Sequence, residues 1–422
     1  MNNELNERKQ AMLMYHLEHL SKAEICRQLQ RSRPWLARWL GRYNPGDVEN
    51  SLQGYRPGPK RRDNRWSDQV RQQVINMRKS RSQDEQWRYA FIGAEAIHLE
   101  LKALGYPEVP PARTIHRWFV TAGLVEHSEK QPQKREPKPI PIPKADAVNR
   151  VQQLDLKGPI YLEDNSAKFY LVVLRDRFSH RCAIQVLENR EALGIVAFLV
   201  NSWHWMGLPD YLQLDNALEF RGSNRYPRSF GRIIRVALDL GVEVLFNPPR
   251  EPWRNGGVEW FNSFLNDRLL KVKFNHLQAF QAEALVCQQN CNQTHRLAAQ
   301  DGLTPNELVA NQTLRYPAES YQRHLSKCLP QDHGFISFVR LVRKSGRITL
   351  GAGDRFMVDP DLAYQYVLAR ADLAKKVVCI SYDDQVIRTY DYSPETVAFW
   401  AGDDNQEQDL VDDEILKVQT AM

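Results

Sequence analysis

Val151-Gln-Gln-Leu-Asp-Leu156, Phe169-Tyr-Leu-Val-Val-Leu174 and Cys182-Ala-Ile-Gln-Val-Leu187 are three short runs rich in apolar and β-favouring residues. Ala192 to Trp205 then reads as a helix, and Tyr211-Leu-Gln-Leu214 as a fourth strand. Arg232–Leu240 is a second helix, Val242-Glu-Val-Leu-Phe246 a fifth strand and Gly257–Leu270 a third helix. Three strands followed by alternating helices and strands predict an α/β core, residues 148–315, built on a mixed five-stranded sheet covered by helices.

The flanks have different periods. Residues 1–50 read as helical, with Met12, Met14, Leu17 and Leu20 near helical spacing. Ser21 and Glu24 form a capping-box pattern, and Ser32 can cap a further helix running to about Tyr43, with Pro34 in its first turn. Two short helices joined by a tight turn, with Arg31, Arg33, Arg38 and Arg42 around the second, predict a helix-turn-helix DNA-binding domain. Residues 51–65 form a basic linker in which Arg56, Lys60, Arg61 and Arg62 suit a strand of phosphates. Residues 66–125 are again helical, with Ala94, Ile97, Leu101 and Leu104 on one face and Thr114 as a possible cap, and suggest a second helix-turn-helix-like domain. Residues 126–147, rich in proline and charge, predict an extended linker. Short β-like runs across 333–400 suggest a small C-terminal β-barrel, and 401–422 an acidic, mobile tail.

With 422 residues, two to four domains are expected. No apolar run approaches the roughly 20 residues needed to span a bilayer, and Met1–Gln10 lacks the pattern of a signal peptide. Six scattered cysteines without a Cys-x-x-Cys pair fit a reducing compartment. A soluble, cytoplasmic, nucleoid-associated protein is therefore expected. The net charge of +6 is uneven: Met1–Arg62 carries 12 Lys/Arg against 6 Asp/Glu, whereas Asp403–Met422 carries seven acids and one lysine. The basic front end suggests a polyanionic partner.

Asp155 lies on the first strand, Asp215 ends the fourth, and Glu259 opens a helix within Arg254-Asn-Gly-Gly-Val-Glu-Trp-Phe-Asn262. Aspartate is poor in strand interiors, although one that ends a strand can be an ordinary turn residue. Carboxylates converging from two strands and a following helix would suit hard divalent cations, which take oxygen ligands. Two such ions about 3.5–4 Å apart can activate a hydroxyl and stabilise a leaving oxygen.

Together these residues resemble the catalytic core of integrase-type transposases, in the retroviral-integrase superfamily of RNase H-like nucleotidyl transferases. The resemblance rests on Asp155, on Asp215-Asn216 with Glu219-Phe220, and on Asn255-Gly256 with Glu259 and Phe261. Asn292, His295, Arg296 and Gly302-Leu-Thr-Pro305 resemble the segment following such cores, so the likeness runs from Val148 to Val309. It implies an RNase H-like core in which Asp155, Asp215 and Glu259 are catalytic and ligate Mg2+ or Mn2+, with two ions expected. It also implies a DDE-type transposase that binds element ends as a homo-oligomer, cuts to expose a 3′-hydroxyl and joins it to target double-stranded DNA. The 43 residues between Asp215 and Glu259 exceed the interval in many members, which places extra length around Gly222–Gly231. Cations after the glutamate often contact DNA in that family, and here the first are Arg268 and Lys271.

A DNA-binding protein without activity and a metal-dependent nuclease are the alternatives. Need for a helper ATPase is not legible. Cys287, Cys291 and His295 recur every four residues, which leaves a zinc site open. Asp164 and Asp176 read as turn residues flanking the second strand, and Trp203-His-Trp205 as packing.

Overall fold

The computed structural model describes residues 2–54, 66–125, 139–163, 167–222, 228–249, 251, 256–321, 329–351 and 353–394. It divides into two units, Met1–Ser67 and Asp68–Met422.

The first unit holds α1 (Asn2–His16), α2 (Lys22–Gln28), α3 (Arg33–Leu40) and α4 (Val48–Leu52). Ser21 caps α2 by accepting from Glu24 N, and Ser32 caps α3 by accepting from Trp35 N, as the sequence predicts. Ala11, Met12, Met14, Ile25, Leu36, Trp39 and Leu52 form its core.

The second unit begins with α5 (Asp68–Gln83), α6 (Ala94–Ala103) and α7 (Ala112–Thr121), packed around Val74, Ile97, Leu101, Ile115 and Phe119. Pro111, whose fixed φ suits a helix start, takes the N-cap position of α7 and leaves Thr114 inside the helix. Thr114 is therefore not the cap.

The core then follows as β1 (Val151–Tyr161), β2 (Lys168–Asp176), β3 (Cys182–Leu187), α8 (Ala192–Met206), β4 (Tyr211–Leu214), α9 (Leu218–Arg221), α10 (Arg232–Asp239) and β5 (Glu243–Phe246). After these come α11 (Gly256–Asp267), α12 (Leu277–Thr294) and α13 (Pro305–Val309). The last strands are β6 (Phe335–Leu341), β7 (Arg347–Leu350), β8 (Asp354–Met357), β9 (Tyr366–Asp372), β10 (Val377–Tyr382) and β11 (Gln385–Asp391).

The five expected strands form a mixed sheet, with β1, β2 and β3 antiparallel and β1, β4 and β5 parallel. The expected separate C-terminal barrel is not observed as a separate body. β6 adds to β5 in parallel, and β9, β10 and β11 continue antiparallel, giving one sheet ordered β11-β10-β9-β6-β5-β4-β1-β2-β3. Among the described strands, β7 and β8 stand apart as a two-stranded ribbon. The cause is apolar continuity: Phe246 stacks on Phe338 at 5.3 Å, and both belong to the main core. The end of the expected linker is also occupied, since Ile140 and Ile142 pack against Leu245, Val339 and Tyr366.

Strand alternation splits this core between the two sheet faces. Tyr170, Val172 and Leu174 join α8 and α10 on one face. Phe169, Leu171 and Val173 join α11 and α12 on the other. Leu154, Leu212 and Leu214 belong to the α8 side. Trp203 is buried there, its indole donating to Gln152 Oε1 at 2.9 Å, so it packs as expected.

The β3 edge is closed by side chains. Asn292, Gln288 and Gln281 of α12 accept from the backbone N–H of Cys182, Ile184 and Val186 at 2.9, 2.8 and 2.8 Å, and Asn292 donates back to Cys182 O at 2.8 Å. These bonds occupy donors that an open edge would offer to another strand. Asn292→Ala should strand two buried backbone groups and destabilise the protein by about 1–3 kcal/mol. Chemical denaturation with an unchanged midpoint would contradict this role for Asn292.

Candidate active site

The pairing of β1 with β4 builds the site. Gln153 stands opposite Gln213 in the parallel register, so two residues further along Asp155 runs beside Asp215, just beyond the end of β4. Because Leu154 and Leu214 face α8, the period-two alternation turns Gln153, Asp155, Gln213 and Asp215 toward the α11 side. The hydrogen bonds agree. Asn262 of α11 donates to Asp155 Oδ2 at 2.6 Å, and Lys157 Nζ donates to Asn262 O at 3.2 Å.

Below the carboxylates the sheet is tied by amides. Gln153 donates to Gln213 Oε1 at 3.0 Å, and Gln213 donates to Asn247 Oδ1 at 2.6 Å, which links β1, β4 and the end of β5. Asn216, next to Asp215, donates to Asn247 O at 2.7 Å. Asp215 Oδ1 itself accepts from Ala217 N at 2.8 Å. All of these place the Asp215 turn at the carboxyl ends of parallel strands, where open α/β sheets bind ligands.

Burial raises the Asp215 carboxyl above its ordinary range, the Ala217 N–H opposes that, and the negative charges of Asp155 and Glu219 add to the rise. Asp155 and Asp215 are thus close enough to repel. Asn262 Oδ1 is buried without a partner among the described residues. Two adjacent carboxylates and an open amide oxygen form a hard-oxygen donor set that fits a divalent cation. Burial lowers the Lys157 ammonium, and Asp155 opposes that shift.

Glu259 lies on α11 one helical turn before Asn262, and its side chain falls outside the described set. Among the described side chains no group of three His, Cys, Asp or Glu could hold a metal. Asn262 escaped the sequence reading as a functional residue, although its i, i+3 spacing from Glu259 was the available signal.

Residues 223–227, within the stretch where the extra length between Asp215 and Glu259 is expected, lie outside the described residues. Gly222, with φ +95°, and Gly231 bring their backbones together, and a Cβ on Gly222 would lie 2.8 Å from Gly231 N. Arg228, beyond this neck, pairs with Asp354 of β8 at 2.8 Å.

The other expected residues divide. Arg33, Arg38 and Arg42 are exposed on and after α3, whereas Arg31 is tied to Glu7 at 2.6 Å. Arg56, Lys60, Arg61 and Arg62 lie outside the described residues, as do Asp164, Asn255 and the acidic tail. Arg268 donates to Arg88 O at 3.3 Å, joining the helical segment to the core, and exposed Lys271 lies 3.9 Å from Asp267. Cys287 and Cys291 are buried beneath β3, and His295 stacks on Phe91 at 3.7 Å. Asp176 is the expected turn residue, accepting from Ser179 N at 2.7 Å and Asn149 N at 3.0 Å. Among the described residues no helix is long and apolar enough to cross a membrane.

Residues 8–72 match the family model described as winged helix-turn helix. No curated protein matches the chain. Similar solved structures include the catalytic core domain of BIV integrase, 20% identical, covering 38% of this chain and 92% of that one with a TM-score of 0.29. The HTLV-2 integrase catalytic core domain in complex with magnesium is 17% identical, covering 39% and 99% at 0.29. A chain of the simian T-cell lymphotropic virus intasome in complex with PP2A regulatory subunit B56 gamma is 15% identical, covering 71% and 95% at 0.35. At such similarity function has to be read from the site's own chemistry.

The burial of Asp215 beside other acids has a measurable consequence. A carboxyl whose pKa is raised by folding favours the folded state below its unfolded pKa, and this contribution is lost as pH rises through the folded value. In metal-free buffer at neutral pH, Asp215→Asn should therefore melt above wild type, and the gap should close as pH falls through the carboxyl range. A melting temperature below wild type at neutral pH would count against a carboxyl raised by burial and by its acidic neighbours.

Proposed function

We propose that this protein is a DNA transposase that binds the ends of a mobile element, cuts them to expose 3′-hydroxyls and joins those ends to target DNA. The observation that carries the reading is the placement of Asp155, within β1, beside Asp215, just past the end of β4, with Asn262 of α11 bonded to Asp155. A helix-turn-helix at residues 8–72 supports a DNA substrate.

Asp155, Asp215 and Glu259 are the proposed ligands of two Mg2+ or Mn2+ ions. When bound, these would activate water or a 3′-hydroxyl and stabilise the leaving oxygen. The chain's own residues do the positioning. Asn262 orients the Asp155 carboxylate, the Ala217 N–H fixes that of Asp215, and the amide tie between Gln153, Gln213 and Asn247 holds the strands that carry them. Hydrolysis and joining are both in-line displacements at phosphorus, so one carboxylate site can serve both. Two element ends must be handled together, which favours a homo-oligomer on DNA.

Asp155→Asn, Asp215→Asn and Glu259→Gln should each abolish joining of pre-cut terminal DNA while leaving its binding intact, and double variants should be no more severe than single ones. Joining by any amide variant at wild-type rate would remove that residue from the site. Cleavage without joining by wild type would make the protein a nuclease, and gel shift with neither step would make it a DNA-binding protein.

Arg33 and Arg38 are proposed to meet the DNA groove, α3 being capped, cationic and exposed at both positions. Arg33→Ala with Arg38→Ala should weaken terminal-DNA binding and lower its salt slope by about 1 for each phosphate that is no longer neutralised. Binding isotherms that superimpose on wild type across salt concentrations would refute the assignment.

A further inference from the structure

Arg340 belongs to β6, beyond the five-stranded core, yet its side chain reaches the Asp215 turn. It is 4% exposed. Its Nη2 donates to Asn216 Oδ1 at 3.0 Å, and its Nη1 donates to Asn247 O at 3.1 Å and to Val339 O at 2.9 Å. Its Nε donates to Thr349 O at 3.0 Å. Asn247 O also accepts from Asn216 Nδ2 at 2.7 Å, which closes a ring of Arg340, Asn216 and the end of β5.

Among the described residues these partners are all neutral oxygens. A guanidinium removed from water without a carboxylate partner is an expensive way to hold a strand, which apolar packing could do instead. Burial and the neighbouring Arg221 cation push Arg340 down to about 9, so it stays charged at neutral pH. What the group supplies is a planar fork spanning two strands and one turn, a shape that lysine lacks.

We infer that Arg340 is a positioning residue for the metal ligand Asp215, acting through Asn216. The inference rests on the proposed metal-dependent reading. Asn216 is held on its amide oxygen by Arg340 and on its amide nitrogen by Asn247 O, so the residue following Asp215 cannot rotate freely. The Ala217 N–H fixes the carboxylate from the other side. Arg340 therefore sets where the Asp215 oxygens stand before any cation arrives, and the C-terminal strands become part of the site's support.

The test is Mn2+ binding by the full-length protein, followed by electron paramagnetic resonance, beside joining at graded Mg2+ concentrations. Arg340→Lys, Arg340→Met and Asn216→Ala should each weaken Mn2+ binding by about tenfold, the usual scale for losing a partner of a metal ligand. Arg340→Met combined with Asn216→Ala should be no weaker than the worse single variant, since both act through one link. Arg370→Met, which breaks a pair with Glu243 elsewhere in the sheet, is the stability control and should bind Mn2+ as wild type does. If Arg340→Met fails to fold, half-buried Asn216→Ala reads the same link.

Wild-type Mn2+ affinity in Asn216→Ala and Arg340→Lys would overturn the inference while leaving the metal site standing, provided Asp155→Asn abolishes binding. Weakening in Arg370→Met equal to that in Arg340→Met would reduce Arg340 to general stability and also overturn it. No Mn2+ bound by wild type would overturn both the inference and the functional reading.

Discussion

The parallel pairing of β1 with β4 is the constraint on which the site depends. With Gln153 opposite Gln213, Asp155 within β1 comes beside Asp215, just past the end of β4, on the same face. A slip of one residue would turn one of the two toward α8, because strand side chains alternate. Buried amides bond across this alignment, Gln153 to Gln213 and Gln213 to Asn247. Misaligned, those amides would be buried without partners, a loss of about 1–3 kcal/mol for each group. The site's geometry is therefore secured by polar groups placed below it rather than by the carboxylates, which repel.

That repulsion explains the surroundings. Asp215 is raised first by burial and further by the charges of Asp155 and Glu219. Nothing in the carboxylates themselves keeps them together. The frame does: Asn262 from α11, the backbone of Ala217 and the amide tie each oppose a different motion. Preorganised oxygen ligands lose less on binding a hard cation than ligands that must first be gathered.

Much of this was legible in the residues. Leu154 and Leu156 alternate with Gln153 and Asp155, and Leu212 and Leu214 with Gln213 and Asp215, so the two acids had to share the face opposite the leucines. The caps at Ser21 and Ser32 and the burial of Trp203 were equally local facts. Long-range relations were not. The Asn292 bonds to Cys182 span 110 residues, and no periodicity announces them. Thr114 looks like a cap because its side chain can act as one, but Pro111 has already fixed where the helix starts.

The C-terminal strands show the same limit at larger scale. Evenly spaced short strands suit a small barrel and a sheet extension alike, since both bury one face and alternate. What decides is the partner of the first strand, and β6 finds β5 because Phe246 and Phe338 continue one apolar layer. That choice makes β5 an interior strand, removing an edge that would lie close to Asp215 and Asn247. It also delivers Arg340 to the Asp215 turn, where a self-contained barrel would have had no reason to keep a buried cation. The sheet extension and the support of the carboxylates are thus one structural decision, taken where β6 pairs with β5.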